Sequence, residues 1–186
     1  MSNLKKEMHE RIDSRMNKLK IAAERLHRQI DKGVLGGEEA RMWLDQYAIG
    51  KGLNFAVGDF SIGDSEGVDG DFAKIGADWH VDFEDVPLMD GQLDHIVSNY
   101  LECVSHPLRM LEDWSVRLKK GGVVAIVCRD ADAYNDSGDA RGPLSNPRRR
   151  SCFNLTTLSY YLNAAGFSVL VYERFDKELR IAATKN

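Results

Sequence analysis

Residues 52–59 read GLNFAVGD, and residues 67–69 read GVD a few positions later. A short apolar run that ends in a glycine is typical of a buried parallel strand whose end lets a ligand approach the backbone. The second run ends in an acid, the residue type that binds ribose hydroxyls at a strand tip. The pair of runs predicts an α/β protein with a nucleotide-type site.

Working outward, the chain has the length and composition of one globular domain. It has 186 residues, 43% of them hydrophobic, and a formal net charge of -4. We expect a single domain over residues 1–186, with an N-terminal helical extension over 1–48 and an α/β core over 49–186. The mild negative charge disfavours a dedicated nucleic-acid binder.

The targeting and redox signals favour a cytoplasmic protein. No apolar run approaches the roughly 20 residues of a membrane span, and the N-terminus has no apolar signal core. We therefore expect no membrane partner. Cys103, Cys128 and Cys152 are odd in number and widely spaced, so they predict neither a disulfide framework nor a metal site.

The N-terminal extension has a helical pattern. Apolar residues recur every three or four positions over residues 4–31: Leu4, Met8, Ile12, Met16, Leu19, Ala23, Leu26 and Ile30. Such a helix can be a lid, the arm of a homodimer, or a packing helix that covers the sheet. A second short helix is expected at 38–48, in which Trp43 either joins the core or lines a ligand cleft.

The remaining elements follow from apolar runs and breaker residues. We expect strands at 53–57, 67–69, 76–81, 93–98, 123–128, 167–175 and 179–183, the last two forming a hairpin. A helical stretch at 101–118 should break near His106, and residues 119–122 should form a helix cap and turn. A long loop at 130–150 precedes a helix that begins at Asn154 or Thr156.

Six segments together resemble a known family. They are LNFAVG (53–58), GVD (67–69), DFEDVPL (82–88), LDHIVSNYLE (93–102), LKKGGVVAIV (118–127) and LNAAGF (162–167). In this order they resemble class I S-adenosylmethionine-dependent methyltransferases, of a small type with a shortened first half. The resemblance implies a Rossmann-like α/β sheet of seven strands, mostly parallel with a C-terminal antiparallel hairpin, and S-adenosylmethionine at the carboxyl ends of the strands.

The resemblance also implies roles for single residues. Gly58 would let the backbone pass close to the methionine part of the cofactor, and Asp69 would accept both ribose hydroxyls. Asp82 would meet the adenine amino group, while Phe83 would pack near the adenine face. For Asp82 the alternative is a turn or cap residue, and for Asp69 it is a solvated loop acid.

Further positions lie near the expected methyl group. Ser98, Asn99 and Tyr100 would face the sulfonium and the methyl acceptor. Ala56 and Asp59 stand where the family often has glycine, so both would border the cofactor with an added methyl group and an added charge. Cys103 replaces a histidine that is common in the family.

The sequence assigns no catalytic base. Tyr100, His80, His106 and Asp59 are the groups within reach, and a base is needed only if the acceptor must lose a proton. Asp78, His80 and Asp82 could share a face and bind a metal, but polar alternation on an exposed face is the commoner cause, so we expect no metal.

Two other groups also have alternative interpretations. Cys103 could be a nucleophile, although free cysteines are mostly small apolar packers. Residues 148–150, RRR, could bind an anionic acceptor or form a solvated loop.

Three functions follow, from different classes. The first is a methyltransferase for a small-molecule acceptor. The second is a non-catalytic relative that serves binding or interaction, favoured by the incomplete glycine loop. The third is a nicotinamide-dependent oxidoreductase, but its fingerprint needs three glycines and a later acid. Here Gly58 and Gly63 stand alone, and Asp69 follows too soon.

Overall fold

A computed structural model describes residues 38–55, 62–63, 65–68, 90–99, 101–136 and 150–186. The strands in these ranges are β1 (Gly52–Phe55), β2 (Glu66–Val68), β3 (Leu93–Ser98), β4 (Leu118–Arg129), β5 (Phe167–Phe175) and β6 (Glu178–Lys185). The α-helices are α1 (Glu38–Asp45), α2 (Pro107–Arg117), α3 (Ala131–Asp136) and α4 (Leu155–Ala164), and a 3-10 helix spans Leu101–Cys103. The expected helix at 4–31 and the expected strand at 76–81 lie outside the described residues.

The described strands form one sheet in the order β2-β1-β3-β4-β6-β5. The first four are parallel to their neighbours, whereas β6 runs antiparallel between β4 and β5. The parallel part needs crossovers, and the final pair needs only the two-residue turn at Asp176, whose φ is 52°. This arrangement confirms the expected Rossmann-like sheet with a C-terminal antiparallel hairpin.

The central strands are buried on both faces. Alternate residues of β4 point to opposite sides, so Ile126 joins one core with helices α2 and α4, and Val127 joins another with α1. We call these sides of the sheet the α2–α4 face and the α1 face. Trp43 of α1 is 7% exposed and packs into the second core. The interpretation of Trp43 as a core residue is confirmed.

Two helix starts agree with the sequence pattern. The helical stretch after β3 breaks as expected, with a 3-10 turn first and α2 beginning at Pro107, where a missing N–H costs nothing. Helix α4 begins after Asn154, whose side chain accepts a hydrogen bond from the Thr157 amide, while the Thr157 hydroxyl accepts one from the Asn154 amide. This capping box satisfies two backbone donors reciprocally.

The expectation of a cap and turn at 119–122 is wrong. Strand β4 already begins at Leu118, which is fully buried and pairs with Leu93 of β3. The next pair along the ladder joins His95 to Val123, so the intervening residues of β4 form an irregularity within the strand. Gly121 has a φ of 76°, a conformation that lets the extra residues of β4 bulge out of the hydrogen-bonded ladder before pairing resumes.

Candidate functional site

The carboxyl ends of the parallel strands meet at one edge of the sheet. Phe55 at the end of β1 pairs with Ser98 at the end of β3, and Ser98 pairs with Ile126 of β4. Strand β1 has β2 on one side and β3 on the other, so the chain order reverses direction here. In open α/β sheets, ligands bind in the crevice outside the strand ends at such a switch point.

Ser98 and Asn99 are the predicted site residues that the structure describes, and it places both at this switch point. Ser98 is 2% exposed. Asn99 is half-buried, and its Oδ1 is shielded from solvent yet accepts no hydrogen bond within the described structure. A buried acceptor without a donor costs about 1–3 kcal/mol, so the amide is suited to a donor that arrives with a ligand.

The other predicted cofactor residues lie outside the described residues: Ala56, Gly58, Asp59, Asp69, Asp82 and Phe83. Among the candidate bases, Tyr100 and His80 also lie outside them. His106 is exposed at the N-cap of α2, where its side chain makes no capping hydrogen bond. The described part of the chain contains no group of three His, Cys, Asp or Glu residues that could hold a metal.

Glu102 is a buried acid next to the site that we did not predict as a site residue. It lies in the 3-10 helix just after β3 and is 2% exposed. Its carbonyl accepts hydrogen bonds from the amides of Arg150, at 2.8 Å, and Ser151, at 3.0 Å. These bonds tie the end of the long excursion after β4 to the turn after β3. The signal in the sequence was an acid four residues after the end of an apolar strand.

Carboxylates also surround the end of β4. Burial raises the pKa of the Cys128 thiol well above its usual range, and the charges of Glu102, Asp130 and Glu178 act in the same direction. Cys128 therefore stays a protonated, apolar core residue.

An ion-pair network lies at the same edge of the sheet, directly after the end of β4. Asp130, 1% exposed, contacts Arg174 Nε of β5 at 2.8 Å, and Arg174 Nη2 contacts Asp132 at 2.9 Å. Asn154 Nδ2 donates to the same Asp132 carboxylate at 3.1 Å. Asp132 lies in α3, at the start of the stretch that the sequence predicts as a loop, and Asn154 follows the end of that stretch. The network therefore holds both ends against the β5–β6 hairpin.

Comparisons with known proteins agree with this architecture. No protein-family model and no curated protein matches the chain. Solved structures do match. A S-adenosylmethionine-dependent methyltransferase from Archaeoglobus fulgidus has a TM-score of 0.67 at 14% identity, over 86% of this chain and 99% of that one. A chain of the complex between the Haloferax volcanii Trm112 methyltransferase activator and a methyltransferase has a TM-score of 0.64 at 14% identity, over 78% and 88%.

The chain therefore has the fold of the class I S-adenosylmethionine-dependent methyltransferases. The same fold also serves other chemistry, since the [4+2]-cyclase SpnF matches with a TM-score of 0.62 at 14% identity, over 79% of this chain and 80% of that one. Fold alone does not decide a reaction, so the function has to be argued from the site.

No helix among the described residues is long and apolar enough to cross a membrane.

Proposed function

We propose that this protein is a S-adenosylmethionine-dependent methyltransferase for a small-molecule acceptor. One observation carries the proposal: in a sheet of this fold, the chain order reverses where Ser98 and Asn99 lie, and Asn99 Oδ1 is a buried acceptor that no described group satisfies. An ammonium or hydroxyl donor of a ligand in this crevice would satisfy it.

The cofactor-binding residues follow from the family pattern. Gly58 lies close to the methionine part, with Ala56 and Asp59 beside it. Asp69 binds the ribose, because one carboxylate can accept a hydrogen bond from each of two neighbouring hydroxyls. These residues come directly after β1 and directly after β2 in the sequence.

Two further residues complete the adenine end and two face the methyl group. Asp82 accepts from the adenine amino group and Phe83 packs on the ring. Ser98 and Asn99 border the sulfonium and the acceptor.

Bound S-adenosylmethionine supplies a methyl group on a sulfonium, which is already an activated leaving group. The work left to the chain is to hold the acceptor atom in line and about 3 Å from the methyl carbon. No general base is assigned, and one is needed only for an acceptor that must lose a proton.

Binding is tested by calorimetry with S-adenosylmethionine and with its demethylated product. We expect saturable binding of both, weakened about tenfold or more in Asp69→Asn, since a charge-assisted hydrogen bond contributes about 1.5–3 kcal/mol. Asp90→Asn is the matched control, because Asp90 is an exposed acid in the turn before β3, at the opposite edge of the sheet. Absence of binding in the unaltered protein would overturn the proposal.

Turnover separates the enzyme from a non-catalytic relative. Incubation with S-adenosylmethionine and pools of small amines, carboxylates and phenols should yield the demethylated cofactor at a rate that depends on the acceptor. Tight binding without acceptor-dependent turnover would instead favour a binding protein that keeps the fold. Binding of reduced nicotinamide, read from its fluorescence, would favour an oxidoreductase.

A further inference from the structure

A serine and a histidine are in hydrogen-bond contact at the amino ends of the parallel strands. Ser65 directly precedes β2, and His95 lies near the start of β3, where it pairs with Gly52, the first residue of β1. Ser65 Oγ is 2.6 Å from His95 Nε2. Because Ser98 and Asn99 lie at the carboxyl ends of the strands, this pair is separate from the site described above.

A third group orients the imidazole. His95 Nδ1 lies 3.2 Å from the Ile49 carbonyl oxygen, which can only accept a hydrogen bond. The ring proton is therefore on Nδ1, and Nε2 is the acceptor for the Ser65 hydroxyl. Burial lowers the pKa of His95 from its ordinary 6.5, so the ring is neutral at pH 7 and able to take up the serine proton.

The two side chains differ in exposure as a base and a nucleophile should. His95 is 1% exposed, and its ring fills the space that Gly52 leaves by having no side chain. Ser65 is partly exposed, so a reagent can reach this residue from solvent while the base stays shielded.

A tight turn holds Ser65 in place. Its amide donates to the Ile62 carbonyl at 3.2 Å, and the Ile62 side chain is buried in the core of the α1 face. The Gly63 amide donates to Asp45 Oδ1 of α1 at 2.9 Å. A Cβ on Gly63 would lie 2.8 Å from the Ala48 carbonyl oxygen, so the turn packs closely on the end of α1. This rigid support keeps the hydroxyl close to the imidazole.

The arrangement is the one that activates a serine for acyl transfer, a nucleophile bonded to a base that a third group orients. We propose that Ser65 and His95 form a second reactive site, which hydrolyses small activated carboxylic esters. This activity is independent of methyl transfer.

Two steps complete the reaction. Ser65 Oγ forms a bond to the ester carbonyl carbon as its proton passes to His95 Nε2, and the ester C–O bond breaks as the alcohol leaves with that proton. Water then adds to the carbonyl carbon of the acyl-serine and gives a proton to Nε2. The carboxylic acid leaves, and Ser65 Oγ regains the proton.

A fluorophosphonate probe tests the pair, because its phosphorus bonds to the serine Oγ and loses fluoride while the imidazole takes the serine proton. Peptide mass spectrometry should show Ser65 labelled about a hundredfold faster than Ser115, since a positioned base contributes about 10²–10⁴-fold. Ser115 is the matched control, a partly exposed serine of α2 with no imidazole in hydrogen-bond contact in the described part of the chain. Equal labelling of the two serines, or none, would overturn the proposal.

Variants then assign the hydrolysis to the pair. Ser65→Ala should abolish hydrolysis of para-nitrophenyl acetate, and His95→Gln should slow it about a hundredfold, with urea unfolding as the check that each variant folds. Hydrolysis that persists in Ser65→Ala would contradict the proposal. The labelling ratio in the unaltered protein keeps the test decisive if His95→Gln does not fold. Saturating demethylated cofactor should leave labelling unchanged, and a block would contradict the independence of the two sites.

Discussion

At the scale of single residues, the His95 imidazole occupies space that is free because Gly52 has no side chain. A Cβ on Gly52 would lie 2.2 Å from His95 Nε2, so the glycine provides the space for the imidazole. His95 reaches across β1 to Ser65 Oγ, 2.6 Å from Nε2, and its Nδ1 lies 3.2 Å from the Ile49 carbonyl oxygen. A carbonyl only accepts, so Nδ1 carries the proton and Nε2 accepts from the serine hydroxyl.

Gly52→Ala should therefore lower the free energy of unfolding by about 1–3 kcal/mol through overpacking. The measurement is urea unfolding of four proteins: unaltered, Gly52→Ala, His95→Ala and the double variant. Because His95→Ala removes the ring that Cβ would strike, the glycine substitution should cost much less in that background. Equal costs in both backgrounds would contradict the contact.

The same imidazole makes stability depend on pH. Burial lowers the pKa of His95 from its ordinary 6.5, against the smaller opposing effects of the Ile49 carbonyl and the Asp94 charge. Below about pH 6.5 the unfolded chain binds a proton that the native imidazole does not bind. The native protein is therefore most stable above that pH and loses stability as the pH falls. For one group, this loss cannot exceed about 1.4 kcal/mol per pH unit.

Urea unfolding at pH 7.5, 6.5 and 5.5 measures this slope, with His95→Gln as the control that cannot titrate. Asp94 does not interfere, since its pKa is lowered, chiefly by the hydrogen bond from Lys119, from an ordinary value of 3.8. Identical slopes in the two proteins would show that His95 does not titrate differently on unfolding.

At the scale of elements, the network around Asp130 links three parts of the chain. Arg174→Met should lower the free energy of unfolding by about 1.5–3 kcal/mol, because it leaves a buried carboxylate without its charged partner. Thermal unfolding of Arg174→Met, of Asp130→Asn and of the double variant measures the effect. The double variant should recover part of the loss, and a double variant less stable than either single one would contradict the pairing.

The start of α4 gives a second prediction at this scale. Asn154→Ala removes both the capping box and the hydrogen bond to Asp132, so we expect a loss of about 1–2 kcal/mol. Thr156→Ala is the control, since Thr156 is exposed in the first turn of the same helix. Similar losses in the two variants would argue against the cap as the stabilising feature.

At the scale of the whole molecule, ligand binding should raise the unfolding temperature. A ligand at one hundred times its dissociation constant stabilises by about 2.7 kcal/mol, which corresponds to roughly 5–10 °C for a domain of this size. The demethylated cofactor should produce this shift, and NADH at the same concentration should not. A shift with NADH alone would favour the oxidoreductase interpretation.

The order of elements was predictable because its signals are local. The β-branched run in β4, the break before Pro107, the cap at Asn154 and the turn at Asp176 are each legible within a few residues. For the candidate site, the sequence predicted no more than an edge of the sheet that carries Ser98 and Asn99, and their role in binding stays a prediction. Glu102 was missed because nothing in a local pattern tells a buried acid from a solvated one.

The sequence by itself determined the α/β pattern and the final hairpin, since apolar periodicity and breaker residues act over short distances. Only the tertiary structure decided that residues 119–122 belong to β4, that His95 lies across Gly52 to reach Ser65, and that Arg174 contacts Asp130. These contacts join positions far apart in the chain. Their partners are set by strand register, which a single sequence does not display.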